Sequence, residues 1–163
     1  MGTLRFAHPT LLLLWVCSAA AAPPVQTFKD WALRCPEGAA CVLEQRVLLK
    51  DNEATPLLHL AFQYDGEPRV LNAILRVPLG VLLAPGLTLT IEGRPPFSIP
   101  FHHCRPEGCL ALAPASDRLL TALRRGKRAT VGYRLGDGRG LKVPLSLDGL
   151  DSGLRALGGR PAR

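Results

Sequence analysis

The sequence predicts an all-β chain, mainly an antiparallel sandwich or barrel, with two short helices near the C-terminal end. Three observations lead there. Apolar and polar residues alternate with period two in one run after another, and turn-forming residues separate the runs. Pro78, Pro85, Pro95, Pro96, Pro100 and Pro144 would interrupt a regular parallel sheet but suit edges and turns. Helical spacing with start and stop residues is confined to two late segments.

In chain order, the run 41–49 turns Leu43, Val47 and Leu49 inward, and 58–64 turns Leu58, Leu60, Phe62 and Tyr64 inward. The run 71–77 repeats the pattern through Leu71, Ala73, Leu75 and Val77, and 87–92 through Leu87, Leu89 and Ile91. Phe97, Ile99 and Phe101 alternate with Ser98, Pro100 and His102. A helix is expected over 117–125: Ser116 or Asp117 caps it, Leu119, Leu120 and Leu123 share a face, and Gly126 ends it. Val131, Tyr133 and Leu135 then lead through Gly136-Asp137-Gly138 to Leu141, Val143, Leu145 and Leu147, the pattern of a hairpin. A second helix follows over 150–157, closed by Gly158-Gly159.

The first segment reads as an address. Arg5 precedes an apolar stretch over 11–22 that ends in Ala19-Ala20-Ala21-Ala22, the small residues a signal peptidase accepts. The stretch is short of the roughly 20 residues a membrane-spanning helix requires, and Pro23-Pro24 breaks its continuation. The expected organisation is a signal peptide at 1–21, cut after Ala20 or Ala21, and a single domain at 22–163. Trp15 and Val16 before Cys17 do not make a lipobox. Export to the periplasm, to the outer membrane or beyond the cell follows from this reading.

The chain has 163 residues, 47% hydrophobic and 20% charged, which excludes a disordered chain and leaves room for one domain. Its 20 basic residues, 16 of them Arg, face 13 acidic ones for a formal charge of +7. Loss of Arg5 with the signal leaves 19 against 13, a formal +6. On an exported chain such charge points to anionic envelope surfaces or to plain solubility. Nucleic acid is not expected as a partner, because no aromatic stacking series accompanies the arginines.

Setting Cys17 aside, Cys35, Cys41, Cys104 and Cys109 form an even set in an exported chain and read as two structural disulfides. Four cysteines allow three connectivities. The Gly and Pro residues between the near neighbours favour the local pairs, each worth roughly 2 kcal/mol in the chain-entropy model, although pairing across the sequence would stabilise more. Neither pair has the Cys-x-x-Cys spacing of thiol redox chemistry.

His102-His103-Cys104 with Cys109 nearby is the densest set of metal-ligating residue types. Adjacent strand residues point to opposite faces and oxidised cysteines do not ligate as thiolates, so no metal is assigned, nor any cofactor. An exposed His102 and a partly buried His103 are expected instead. None of Ser98, Ser116, Ser146 or Ser152 lies in a Gly-x-Ser-x-Gly elbow, and Gly136, Gly138 and Gly140 sit at a hairpin turn rather than in a phosphate loop. The acidic pairs Asp148 with Asp151 and Glu37 with Glu107 read as caps and solvated surface. No catalytic residue is assigned. Arg118, Arg124, Arg125, Lys127 and Arg128 form the densest basic patch, on and just after the first helix. Cations there complement the helix dipole, and the same five are the candidate surface for anionic lipid, lipopolysaccharide or an acidic partner.

The order of segments resembles the invasion-associated locus B family of exported bacterial proteins. The resemblance is carried by Phe28-Lys29-Asp30-Trp31 before Cys35, then Cys41-Val42-Leu43-Glu44-Gln45, and Val77-Pro78-Leu79-Gly80-Val81-Leu82-Leu83 with Pro85-Gly86-Leu87. Phe101 and Cys104, Gly108-Cys109, the helix ending at Gly126 and the closing Ser146-Leu147-Asp148-Gly149-Leu150 complete it. His102-His103 and the Arg-rich, Pro-rich composition depart from the family pattern without disturbing the framework. The resemblance implies a β-rich periplasmic or outer-membrane-associated protein, connected with entry into host cells and without a known catalytic residue.

Two functions follow as expectations. The first is a non-enzymatic envelope protein that binds an envelope or host-surface macromolecule, for invasion or for envelope maintenance. The second is a small periplasmic ligand-binding or hydrolytic sandwich whose polar groups, such as His59, His103 and a carboxylate, converge from separate strands.

Overall fold

The computed structural model describes residues 24–49 and 52–160; the segment read as a signal peptide, 1–21, lies outside them. Two antiparallel sheets face each other. The larger has the order β1-β2-β3-β4-β5-β9-β8, built from Val25–Phe28, Trp31–Arg34, Val42–Leu49, Asn52–Asp65, Val70–Val77, Gly108–Pro114 and Phe101–Arg105. The smaller has the order β11-β10-β6-β7, from Gly140–Ser146, Arg128–Arg134, Leu87–Ile91 and Phe97–Ile99. The open pair of sheets makes this a sandwich rather than a closed barrel.

The inward faces are those that alternation predicts. Leu43, Leu58, Leu60, Phe62, Ala73, Leu75 and Val77 from the larger sheet meet Leu87, Leu89, Ile91, Val131, Val143 and Leu145 from the smaller, all buried. Trp31 lies in the same core, its ring centroid 5.8 Å from that of Phe62. Helix α1, Asp117–Arg125, is capped by the Ser116 hydroxyl, which accepts from Leu119 N, and ends at Gly126. Helix α2, Leu150–Gly158, buries Leu150, Leu154 and Leu157 and packs on β1, β2 and β3 of the larger sheet.

Three expectations are corrected. Leu49 is exposed rather than inward, because register shifts on both sides of Leu48 break the alternation of β3 against β4. The run from Phe97 to His102 is two strands in different sheets: β7 pairs with β6, and β8 pairs with β9. Pro100 lies at the crossing, where its missing N–H cannot serve a ladder. His102 and His103 do not point apart. A register shift between Phe101 and His103 bulges β8 and brings the two Nδ1 atoms to 2.7 Å, with His102 exposed and His103 half-buried.

Disulfides join Cys35 to Cys41, between β2 and β3, and Cys104 to Cys109, across the β8–β9 hairpin. The two sheets are also tied by Gln45. Its amide donates to the Ser146 and Asp30 carbonyls and accepts from Ser146 N, while Trp31 Nε1 donates to the same Ser146 carbonyl.

Candidate functional site

The C-terminal end of α1, the start of β10 and the N-terminal end of α2 enclose a cleft of about 760 Å³, whose rim carries Lys29, Arg124, Lys127, Arg128, Asp148 and Asp151. The local sequence explains why cations gather here. α1 is amphipathic: Leu119, Ala122 and Leu123 are buried, so Arg124 and Arg125 in the last turn are turned to solvent beside free carbonyls. Gly126 then brings the chain directly into β10. A Cβ there would lie 2.7 Å from Ile91 Cγ2 and 3.0 Å from Leu147 Cδ1, so only glycine lets helix and strand meet this closely.

The five basic residues singled out in the sequence differ in their surroundings. Arg124 Nε lies 3.2 Å from Asp151, which also pairs with Arg155, and Arg128 Nε lies 3.0 Å from Glu92. The Arg128 guanidinium holds the Glu92 carboxyl below its ordinary value. Arg118 lies off the cleft with its guanidinium 5.2 Å from the centre of the Phe97 ring. Arg125 and Lys127 are exposed and have no acidic partner among the described residues. Opposite them Lys29 pairs with Asp148 at 2.7 Å. The structure thus gathers Arg124, Lys127 and Arg128 with Lys29 at one cleft and leaves Arg118 outside it.

A second polar cluster lies on the outer face of the larger sheet, where the pairing of Arg46 with His59 and of Glu44 with Ala61 sets β3 beside β4. Glu44 is buried. It accepts from His59 Nε2 at 2.7 Å, from Arg34 Nε at 2.8 Å and from Arg46 at 3.3 Å. The His59 hydrogen bond, then those of the arginines, hold its carboxyl down to about 2 against the burial that would raise it. His103 is not part of this cluster. It pairs with Leu110, Leu110 with Arg76 and Arg76 with His59, which puts three strand spacings, about 14 Å, between the two histidines. Among the described residues the hydrogen-bond partners of Glu44 and His59 include no hydroxyl or thiol. The cluster is chemically an ion-pair network.

The sequence reading missed Glu44, Arg34 and Arg46. The alternation of β3 places Glu44 outward, and a carboxylate at an outward position carries no sign that its neighbours bury it. Among the described residues no group of three or more His, Cys, Asp or Glu side chains is arranged to hold a metal ion, and no helix is long and apolar enough to cross a membrane.

Comparison with known proteins gives a consistent picture. A family model described as invasion associated locus B protein matches residues 31–158. The chain is 27% identical over 109 residues to an invasion protein B homolog of Brucella abortus strain 2308, and equally to one of Brucella abortus biovar 1 strain 9-941. Each match covers 65% of this chain and 62% of the relative, just under two thirds of the relatives' length. The fold is similar to the crystal structure of invasion associated protein b from Bartonella henselae, with a TM-score of 0.72 and 20% identity over 82% of this chain and 95% of that one.

Proposed function

The chain belongs to the invasion associated locus B family, and from that premise we propose that it is an exported, non-enzymatic protein of the cell envelope that binds an anionic macromolecular surface through the cleft between α1 and α2. The observation that carries this reading is Lys127, exposed on the cleft rim, with Arg125 exposed beside it in the last turn of α1, both without an acidic partner among the described residues, while Arg124, Arg128 and Lys29 are engaged by Asp151, Glu92 and Asp148. The engaged cations hold the cleft in shape, and the two free ones attract. An anionic lipid headgroup or a lipopolysaccharide phosphate in the envelope, or an acidic host-surface partner, presents the matching charge.

The signal-like composition of residues 1–21, the two disulfides and the formal charge of +6 that the chain would carry without those residues support the same reading. Membership of the family supports a role in entry into host cells or in maintaining the envelope.

The test is sedimentation with vesicles. The mature protein should sediment with phosphatidylglycerol vesicles and with lipopolysaccharide at low salt, but not with phosphatidylcholine. Binding should weaken as salt rises and should drop at least tenfold in Arg125→Glu/Lys127→Glu. Wild-type protein that ignores all anionic vesicles, or binds them equally with both charges reversed, would overturn the proposal.

A further inference from the structure

The outer face of the smaller sheet holds a second concavity, of about 630 Å³, on the side of the sheet away from the core. Its floor is Gly132, in the middle of β10. The ladder is regular there: Gly132 pairs with Thr88 of β6 on one side and Lys142 of β11 on the other, with no bulge. A glycine inside a strand weakens it, and its usual justifications are a bulge, a left-handed backbone or a close approach of something else. The first two do not apply. Nor does internal crowding, because a Cβ at Gly132 would meet nothing closer than 3.8 Å. The space that the missing side chain leaves therefore opens outward, into the concavity.

The walls define what fits. Across the sheet, Lys142, Gly132 and Thr88 form one row, and Pro144, Thr130 and Thr90 form the next. Lys142 and Thr88 stand two strand spacings apart, about 9.5 Å, with only the bare backbone of Gly132 between them. Thr88 and Thr90 are exposed and Thr130 half-buried, and none of the three hydroxyls is bonded to another described residue. Arg134 adds a second cation at the rim, and no carboxylate lines the concavity. Hydroxyls in a row offer both donors and acceptors to the hydroxyls of a sugar ring, the threonine methyls and Pro85 meet its C–H face, and the cations match an acidic substituent. No aromatic ring lines an open stacking platform for a nucleobase: Tyr133 turns into the core, where its hydroxyl donates to the Leu57 carbonyl.

We propose that this groove binds an anionic saccharide, one ring lying over Gly132 between the Thr88 and Thr130 hydroxyls and Lys142. The site is separate from the cationic cleft and does not depend on it.

Titration calorimetry of the mature protein with a galacturonate oligomer, with dextran sulfate and with neutral dextran tests it. At least one anionic oligomer should bind, and more tightly than neutral dextran. Gly132→Val fills the floor with a strand-favouring side chain. It should keep or raise the melting temperature while weakening binding at least tenfold. Thr88→Val, which preserves shape and removes one hydroxyl, should weaken binding several-fold and serves if Gly132→Val does not fold. Arg125→Glu/Lys127→Glu should bind the oligomer as the wild type does, which separates this site from the cleft. Absence of binding to both anionic oligomers, or unchanged affinity in folded Gly132→Val or in Thr88→Val, would overturn the proposal.

Discussion

Gln45 of the larger sheet and Ser146 of the smaller recognise each other twice: Gln45 Oε1 accepts from Ser146 N and Gln45 Nε2 donates to Ser146 O, both at 3.2 Å. A side-chain amide here does what a neighbouring strand would do for the end of β11, and the same Nε2 also donates to Asp30 O at 2.9 Å. Gln45 is buried, so these groups have little water to fall back on. Replacing Gln45 by Leu, similar in size and without polar atoms, takes this partner from Ser146 N and Asp30 O, while Ser146 O keeps its bond from Trp31 Nε1. The expected loss is about 2–4 kcal/mol, from two to three hydrogen bonds at roughly 1 kcal/mol each plus the cost of orphaned groups. Urea unfolding measures it, and an unchanged midpoint would refute the role.

Acid should test the Glu44 network. The carboxyl titrates near 2 in the folded chain against 4.5 ordinarily, so its folded value is depressed. A depressed carboxylate stabilises fully above its unfolded value, and the contribution disappears as pH falls from 4.5 through about 2. The shift bounds the effect near 3 kcal/mol, and solvent around the half-exposed Arg34 and Arg46 reduces it to about 2 kcal/mol. Glu44→Gln should therefore be less stable than wild type by about that much at pH 7, with the two curves converging near pH 2. A difference independent of pH would mean that the carboxylate charge is not what stabilises.

The fold was legible where local chemistry decides it. Ser116 and Gly126 mark both ends of α1, and the alternation of β5, β6, β10 and β11 names their buried faces. It was illegible where partners are distant. β1 and β2 have four residues each, too few for a period to register, and they exist because β3 offers an edge. The basic patch was visible as a run of arginines. That Arg128 would meet Glu92 and Arg124 would meet Asp151 was not, since those carboxylates arrive from the turn after β6 and from the other helix. Gly132 shows the same limit: a mid-strand glycine gains meaning only once its register beside Thr88 and Lys142 is known.

The two disulfides should contribute separately. They close loops with sequence separations of 6 and 5, for which chain entropy gives about 2 kcal/mol each. Cys41 precedes β3 and Cys109 lies on β9, three strands away in the sheet, so no shared neighbour couples them. Serine replacement of either pair should cost about 2 kcal/mol and of both about 4 kcal/mol in denaturant unfolding. A double loss well beyond the sum would show that the bridges support one common element.

Two glycines of the α2 region should respond differently to alanine. Gly149, at the N-terminal cap, has φ of 88° and faces the Phe28 carbonyl so closely that a Cβ would overlap it. Backbone strain and the clash act together, and Gly149→Ala should cost about 3 kcal/mol or more. Gly153 sits inside α2, where alanine gains about 1 kcal/mol of helix propensity. Against that gain, its Cβ would lie 2.6 Å from Leu43 Cδ1 and 2.9 Å from Cδ2, on a side chain with no exposure and no room to retreat. Overpacking of this kind costs about 1–3 kcal/mol, so Gly153→Ala should destabilise by about 1 kcal/mol net. Leu43→Val trims the obstructing branch, and the double variant should be more stable than the two single losses add to. Additive losses in thermal or urea unfolding would place the cost of Gly153→Ala elsewhere than at Leu43.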